Sequence, residues 1–268
     1  MAIMALYSAA TGMKSLSTQL DVIANNIANA NNNGFKSSRA NFEDLFYQYQ
    51  QQPGTPNANG DTRPVGLGVG VGTRVSGTQL DMSQGSATLT GRDLDVYIQG
   101  NGFFQVKVLA GQGDGLAYTR TGSFLTNQKG QLVLNSNDGF LLDPPITLPA
   151  NTTKVDISAD GQVLATVSGS TTPTNAGQIQ LANFVNPQGL IQIGGNLYQK
   201  SDASGPATLS NPGTDSAGTL QSAALEASNV DPVKELVNMI TTQRTFELNS
   251  QSIQAADQML QQINNMRR

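Results

Sequence analysis

The sequence contains no cysteine, no histidine and no tryptophan among its 268 residues. Without cysteine a chain has no disulfide and no thiol nucleophile, and without histidine it has no Ser-His-Asp triad and no ordinary zinc site. Charged residues are also scarce, at 13% of the chain against about 25% in an average soluble protein. These absences exclude the common catalytic constellations, and the net charge of −4 argues against nucleic-acid binding. Few charges also mean weak repulsion between copies, which favours association.

Long hydrophobic runs are absent too. No apolar run reaches the length of about 18 residues that a membrane helix needs. The N-terminus has no basic segment before its apolar residues, and Ser8, Thr11 and Gly12 interrupt them. We therefore expect no cleaved signal peptide.

The first thirty residues carry apolar side chains at the spacing of a heptad seam. Steps of three and four residues alternate through Leu6, Ala9, Met13, Leu16, Leu20, Ile23, Ile27 and Ala30. Such a repeat is typical of helices that pair along a narrow seam, whereas a helix on a globular core usually has a wider apolar stripe. The Asn-rich run that ends at Gly34 favours a turn. We predict that residues 1–34 contain a helix that pairs with other helices along this seam. The alternative is an ordinary amphipathic helix packed on a globular core.

Residues 230–268 show a matching pattern. Asn229 and Asp231 are candidate N-caps, and Pro232 suits the first helical turn. Apolar residues then recur at helical spacing: Val233, Leu236, Met239, Ile240, Phe246, Ile253, Ala256, Leu260 and Ile263. In both segments, burial of the few seam side chains does not offset the conformational entropy lost when so long a stretch of chain becomes ordered. We therefore predict a second helix, and we expect both ends to be disordered in the isolated subunit and to fold against neighbouring copies.

The central part of the chain changes to a period of two. Strands are predicted at residues 73–80, 96–98, 103–108, 117–121, 131–134, 155–157, 163–167, 179–184 and 197–199. Hairpins are predicted at Asn101-Gly102, Lys129-Gly130, Asp138-Gly139, Asp160-Gly161 and Gly194-Gly195. The predicted fold class is α+β, with terminal coiled-coil-forming helices and a central antiparallel all-β domain. We divide the chain into a terminal helical domain (1–34 and 230–268), a connecting domain (35–72 and 210–229) and an outer β domain (73–209).

Two features could suggest chemistry. The alternating glycines of residues 66–72 resemble a phosphate loop, but neither Lys-Ser/Thr nor a helix follows them, so we interpret them as the entry to a strand. Three carboxylate pairs could act in acid/base catalysis or bind calcium: Asp93 and Asp95, Asp138 and Asp143, and Asp156 and Asp160. Most lie beside turn glycines, where aspartate is common for local reasons. We predict no catalytic residue, no cofactor and no metal.

Four blocks of sequence carry a resemblance to a known family. They are DVIANNIANANNNGFKSSRANFEDL (21–45), DVYIQGNGFF (95–104), YTRTGSF (118–124) and SNVDPVKELVNMITTQRTFELNSQSIQAADQMLQQI (228–263). Together they resemble the rod and hook axial family of the bacterial flagellum, over essentially the whole chain. The resemblance implies a non-enzymatic subunit of the distal rod, which polymerises into a straight helical tube and transmits torque across the periplasm.

The resemblance also implies partners and site residues. The partners would be further copies of the chain, proximal-rod and hook subunits, the surrounding cell-wall and outer-membrane ring proteins, and the type III export apparatus, with no nucleic acid. The assembly residues would be Leu6, Met13, Leu16, Leu20, Ile23, Ile27, Leu236, Ile240, Phe246, Ile253, Leu260 and Ile263. The family motif comprises Asn25, Asn26, Asn29, Gly34, Phe35 and Lys36, and the stretch expected to stiffen a rod includes Gln48, Gln52, Pro53, Pro56 and Arg63.

Two alternative functions remain open. One is a proximal-rod subunit of the same family, which the Gln/Pro/Gly-rich stretch of residues 48–63 disfavours. The other is a β-rich extracellular enzyme acting on peptidoglycan, whose carboxylate pair would have to come from the aspartates named above.

Overall fold

Two long helices stand at the two ends of the chain, and short strands fill the sequence between them. The computed structural model describes residues 2–56, 61–62, 64–108, 115–169 and 172–266. The helices are α1 (Ala2–Ala28) and α2 (Pro232–Met266). The strands are β1 (Ser38–Asp44), β2 (Tyr47–Gln51), β3 (Leu67–Gly70), β4 (Thr73–Leu80), β5 (Ala87–Leu89), β6 (Val96–Gln99), β7 (Phe103–Lys107), β8 (Leu116–Thr119), β9 (Phe124–Thr126), β10 (Leu132–Leu134), β11 (Leu141–Leu142), β12 (Thr152–Ile157), β13 (Gln162–Val167), β14 (Thr174–Gln178), β15 (Leu181–Asn183), β16 (Ile191–Gly194), β17 (Leu197–Gln199), β18 (Thr208–Ser210), β19 (Thr219–Ser222) and β20 (Ala224–Glu226).

The chain divides into two compact units. Unit 1 comprises Met1–Ala28, Ser38–Leu80 and Asp231–Arg268, and unit 2 comprises Asn29–Ser37 and Asp81–Val230. The predicted fold class is confirmed, because the helices lie at the two ends and the strands between them pair in antiparallel fashion. The division into three domains that we expected for an assembled subunit stays a prediction.

Unit 1 is built on the helix pair. The helices pack closely at Gly12, where an added Cβ would lie 3.2 Å from Nδ2 of Asn249. The carboxylate of Asp231 caps α2, since its Oδ1 accepts hydrogen bonds from the backbone N–H groups of Val233 (3.0 Å) and Lys234 (3.3 Å). The expectation of disordered ends is therefore wrong for this structure: each narrow seam finds its partner in the other helix of the same chain.

Two antiparallel strand pairs complete unit 1. β1 pairs with β4 from Ser38 opposite Leu80 to Asp44 opposite Thr73, and β2 pairs with β3. A bridge between Pro56 and Thr62 extends the β2–β3 ladder. The described residues of the Gln/Pro/Gly-rich stretch, 48–56 and 61–62, are therefore part of a hairpin, which we call the β2–β3 hairpin.

Unit 2 is a β structure. Its main sheet has the strand order β16-β17-β8-β7-β11-β10-β9, with β15 joining β7 to β18. The pairs β19–β6 and β20–β5 and the sheet β12-β13-β14 complete the described strands of the unit. Its core contains edge-to-face aromatic pairs such as Phe104 and Phe124, whose ring centroids are 5.1 Å apart.

The predicted turns are confirmed with one exception. Lys129-Gly130, Asp138-Gly139, Asp160-Gly161 and Gly194-Gly195 each lie between strands that pair with each other. Asn101-Gly102 lies between β6 and β7, but β6 pairs with β19 and β7 pairs with β8, so the hairpin predicted there is wrong. The positions of the turns are therefore predicted correctly, but the partner with which a strand pairs depends on distant parts of the chain.

Candidate assembly site

The predicted seam of α1 forms its inner face. Ile23 is buried, with 4% of its surface exposed, and the other five predicted residues are half-buried: Leu6, Met13, Leu16, Leu20 and Ile27. Polar side chains share this face, since Ser15 and Asn26 are buried as well. The seam is therefore narrow and partly polar, as the heptad spacing predicted.

The inner face of α2 differs from the predicted one in its first three turns. Phe246, Ile253 and Leu260 are half-buried as predicted, whereas Leu236 and Ile240 are 49% and 52% exposed. The buried or half-buried residues continue the heptad spacing of Phe246 in both directions: Glu235, Met239, Thr242, Asn249 and Ala256. Leu236 and Ile240 were predicted on the inner face because they are aliphatic. The heptad spacing counted back from Phe246 indicates Met239 and Thr242 instead. The side chain of Ile263 lies outside the described residues.

A second face of α2 carries an apolar stripe that is half or more exposed in the part of the chain that the structure describes. Val233, Leu236, Val237 and Ile240 are between 49% and 70% exposed, and Leu248 further along the helix is 62% exposed. Exposed aliphatic groups at helical spacing are unusual on a helix surrounded by water. We call residues 233, 236, 237 and 240 the outer stripe.

Two asparagines of the family blocks act as backbone clamps. In unit 1, Nδ2 of Asn26 donates to the carbonyl of Ser38 (2.8 Å), and Oδ1 of Asn26 accepts from the N–H of Ser38 (3.0 Å). In unit 2, Oδ1 of Asn229 accepts from the N–H of Ser37 (2.8 Å), and its Nδ2 donates to the carbonyl of Asp81 (2.9 Å). The prediction of Asn229 as an N-cap is thus wrong, because its amide is used to hold distant backbone segments together.

Lys36 belongs to a buried charge cluster in unit 2, which also contains Arg120 and Glu226. Nζ of Lys36 lies 2.7 Å from Oε1 of Glu226, and each of these side chains is 1% exposed. Nη1 of Arg120 lies 3.6 Å from Oε2 of Glu226. Lys36, Arg120 and Glu226 come from three separate parts of the sequence, so the charge cluster ties these segments together.

Backbone groups complete the charge cluster. The Nζ of Lys36 also donates to the carbonyl of Ser83 (2.7 Å), and Oε1 of Glu226 accepts from the N–H of Gly85 (2.9 Å). Burial lowers the pKa of the Lys36 ammonium from its usual value, and the neighbouring Glu226 carboxylate opposes part of that shift. Burial likewise lowers the pKa of Arg120. The cluster therefore holds two cations against one carboxylate, with at most 5% of each side chain exposed.

Gly34, another residue of the family motif, packs within unit 2. Its N–H donates to the carbonyl of Glu226 (2.8 Å), and its φ is +75°, a backbone conformation that favours glycine. A Cβ at this position would lie 2.6 Å from Oγ1 of Thr121 and 2.8 Å from its backbone nitrogen. Glycine is required here for both reasons. Of the remaining motif residues, Asn29 and Phe35 are half-buried and Asn25 is exposed.

The β2–β3 hairpin is exposed along its whole first strand. Tyr47 and Tyr49 are 54% and 58% exposed, and their rings lie over the glycines of β3. A Cβ on Gly68 would lie 3.0 Å from Cε1 of Tyr49, so a larger residue would displace that ring. The glycine-rich run leads into β4, as predicted, but it also forms the strand β3 under the tyrosine rings, which was not predicted. Gln48, Gln52, Pro53 and Pro56 are exposed, and Arg63 lies outside the described residues.

Two of the carboxylates considered for catalysis, Asp143 and Asp160, have local partners. Asp143 accepts a hydrogen bond from Nε2 of Gln105 (2.6 Å) and lies 3.0 Å from Nζ of Lys107. Asp160 accepts from Ser158 and Gln162 in its turn, and these hydrogen bonds lower its pKa. Among the described residues, no group of three or more acidic side chains could hold a metal ion. Nor does the described part of the chain contain a helix with the length and apolar character required to cross a bilayer.

Three family models match separate parts of the chain. A model of the flagellar basal body rod protein matches residues 6–36, a model of the flagellar hook protein FlgE/F/G D1 domain matches residues 97–165, and a model of the flagellar basal body rod FlgEFG protein C-terminal region matches residues 221–266. These ranges contain Lys36, Arg120 and Glu226, so each model contributes one residue to the charge cluster.

Relatives match the chain over nearly its whole length. The flagellar basal-body rod protein FlgG of Buchnera aphidicola subsp. Baizongia pistaciae is 46% identical over 97% of this chain and 98% of its own length. The protein of the same name from Bacillus subtilis is 40% identical over 98% of each chain. The flagellar hook-basal body complex protein FlhP of Bacillus subtilis is 31% identical over the same shares.

Proposed function

Because this chain belongs to the family of flagellar basal-body rod proteins, we propose that it is a structural subunit of the distal rod, which polymerises into a straight helical tube and transmits torque. The observation that carries the proposal is the similarity to FlgG from one end of the chain to the other. Of the two Bacillus subtilis relatives, the chain is more similar to the basal-body rod protein FlgG than to the hook-basal body complex protein FlhP, at 40% against 31% identity, which favours a subunit like FlgG.

The outer stripe of α2 supplies a surface for polymerisation. Its side chains are about half exposed, and burying the remainder of each would contribute roughly 1 kcal/mol. In a polymer this contribution recurs at every subunit, and it does not require the α1–α2 seam to open. The proposed contact is head-to-tail between copies, because such contacts generate open filaments.

The predicted assembly residues then fall into two classes. Residues of the inner seam, such as Leu20 and Ile253, hold the helix pair together. They would affect assembly indirectly, because the shape of the helix pair depends on them. Leu236 and Ile240, which are exposed, would contact the next copy directly. The remaining proposed partners are proximal-rod and hook subunits at the ends of the tube, ring proteins around it, and the export apparatus.

The β2–β3 hairpin supports a role between subunits. A two-stranded ribbon with both faces in water is marginally stable, and β2 is exposed throughout. We propose that a neighbouring subunit covers it and that this contact keeps the tube straight. Deleting residues 48–63 should give curved or unstable tubes in electron micrographs, and unchanged straight tubes would contradict the role.

Electron microscopy of concentrated protein tests the main proposal. Ile240→Asp should abolish tubes while circular dichroism shows the same helix content, because the side chain lies outside the seam. Gln251→Asp is the matched control, since it places the same charge on an exposed polar position of α2 and should leave tubes intact. Tubes formed by the Ile240→Asp protein would contradict the use of the outer stripe.

A further inference from the structure

A groove of about 520 Å³ lies where β1 ends and β2 begins in unit 1. Phe46, in the turn between these two strands, is 90% exposed, and the neighbouring Tyr47 is 54% exposed. Exposed aromatic rings that lie side by side are typical of a surface that contacts another protein. We call this surface the aromatic groove, and its wall includes Glu43, Asp44, Phe46, Tyr47, Tyr49 and Arg74.

The tyrosines of the aromatic groove are held flat against β3. A Cβ added to Gly70 would lie 3.4 Å from Cε1 of Tyr47, and one added to Gly68 would lie 3.0 Å from Cε1 of Tyr49. Each ring therefore rests on a glycine and leaves more than half of its surface to solvent. A ring that is already fixed in position loses little conformational freedom when a partner covers it.

The aromatic groove carries more negative than positive charge. Glu43 pairs with Arg74, and both side chains are exposed. Asp44 is exposed and forms no ion pair with any described residue. A hydrogen bond to the Asp44 carboxylate raises the pKa of the Tyr47 hydroxyl, so the unpaired carboxylate lies beside an exposed ring. A partner that fits this groove presents aliphatic side chains together with a cation.

The outer stripe of α2 ends in such a cation. Val233, Val237, Ile240 and Arg244 are separated by four, three and four residues, so they lie along one face of the helix. Arg244 is exposed and has no ion-pair partner among the described residues. It lies one turn beyond Ile240, about 6 Å along the helix axis.

We propose that the outer stripe of one copy lies in the aromatic groove of the next copy, with Arg244 beside Asp44. This pairing rests on the proposed polymerisation and names the two surfaces that meet. The aliphatic side chains cover the tyrosine rings, and the guanidinium stacks on a ring while it binds the carboxylate. Because the two surfaces are different patches of the same chain, the contact is head-to-tail and generates an open filament. Within one chain both surfaces remain about half or more exposed, so each is free to take its partner from another copy.

The absence of cysteine allows a direct test by cross-linking. Protein with Ile240→Cys is mixed with differently tagged protein that carries Tyr49→Cys, and the mixture is treated with a short bismaleimide. The contact holds the two thiols together, so the mixed dimer should form at least about tenfold more than in the control mixture. The control replaces Ile240→Cys by Lys129→Cys, at an exposed turn of unit 2. Equal yields from the two mixtures would overturn the proposal.

Exchange of the two charges gives an independent test. Asp44→Arg and Arg244→Asp each place like charges together, and each should raise the minimum protein concentration for tubes by about tenfold or more. The double variant Asp44→Arg with Arg244→Asp restores opposite charges at every contact and should return that concentration to within about threefold of wild type. Asp44→Arg with Lys129→Asp has the same net charge and should remain as poor as Asp44→Arg. A double exchange no better than this control would contradict the pairing.

The two tests separate this pairing from the proposed function. Cross-linking measures a contact between two copies and does not require a complete tube. Wild-type tubes, with neither the mixed dimer nor the rescue by charge exchange, would overturn the pairing and leave the rod function standing. A mixed dimer from protein that never forms tubes would support the pairing and count against the proposed function.

Discussion

Substitution of Lys36 by methionine is the most informative single change in unit 2. Methionine fills a similar volume but removes the ammonium, so the change isolates the charge. The carboxylate of Glu226 would remain 1% exposed without the partner that now lies 2.7 Å away. The carbonyl of Ser83 would also lose its donor at 2.7 Å.

Removal of one partner of a buried ion pair typically costs about 3–5 kcal/mol. Two contacts remain for Glu226, the N–H of Gly85 at 2.9 Å and the guanidinium of Arg120 at 3.6 Å. We therefore expect the lower end, about 3 kcal/mol, which is a change of roughly a hundredfold in the unfolding equilibrium constant. The matched control is Arg74→Met, whose pair with Glu43 is exposed (67% and 41%) and should be worth less than about 1 kcal/mol.

Urea denaturation monitored by hydrogen exchange and mass spectrometry is a suitable assay, because each peptide reports on the unit from which it comes. Peptides that cover β5 and β20 should lose protection at lower urea in Lys36→Met, while peptides that cover β1 and β4, where Glu43 and Arg74 lie, should stay close to wild type in Arg74→Met. The double variant Lys36→Met with Glu226→Gln measures the coupling between the two side chains. If Lys36→Met costs no more than Arg74→Met, or if the effects of the two cluster substitutions simply add, the reasoning about the charge cluster is refuted.

Three further predictions concern other parts of the molecule. Gly34→Ala should destabilise unit 2 by about 2 kcal/mol or more in urea denaturation, because the backbone there has a φ of +75° and the new Cβ would lie 2.6 Å from Oγ1 of Thr121. Gly54→Ala is the control, since Gly54 has a φ of +82° but no atom within 4 Å, and it should cost about 1 kcal/mol. Equal losses of stability in the two variants would contradict the steric argument. Burial raises the pKa of Tyr198 from 10.0 to about 12, so the folded state holds this proton more tightly than the unfolded chain. The contribution of this proton to the free energy of unfolding is therefore fully present below about pH 10 and is lost as the pH rises to about 12. A Tyr198→Phe variant should lose less stability over that interval than wild type, and parallel pH profiles would disprove the assignment. Ile253→Asp should open the helix pair and expose α1 and α2 to protease while peptides of unit 2 stay protected, and protection of both helices would contradict the seam.

The helices could be predicted from sequence because their signal is local. A heptad repeat and an N-cap are read within a few turns, and the ends of the helices agree with the structure to within a few residues. The inner face of α2 was harder, since Thr242 and Asn249 are polar and lie on it while Ile240 is apolar and lies outside it. Residue type alone predicts burial poorly on a helix that has two contact faces.

Two strands have the predicted bounds, β4 at residues 73–80 and β17 at residues 197–199. Others were missed whether they are exposed, like β2, or buried, like β20. β2 was not predicted, although tyrosine and glutamine alternate from Tyr47 to Gln50, because all five of its residues are exposed and glutamines and prolines surround it in the sequence. Its pairing with β3 depends on glycines that leave room for the tyrosine rings.

By itself, the sequence determined the two helices, the antiparallel β character of the middle and the absence of histidine and cysteine chemistry, because each follows from composition or from spacing over a few residues. Only the tertiary structure decided that Lys36, Arg120 and Glu226 meet and that Asn229 clamps the backbone. The physical reason is sequence separation. Contacts between residues about a hundred positions apart leave no periodic trace in the chain, and strand order alone brings them together.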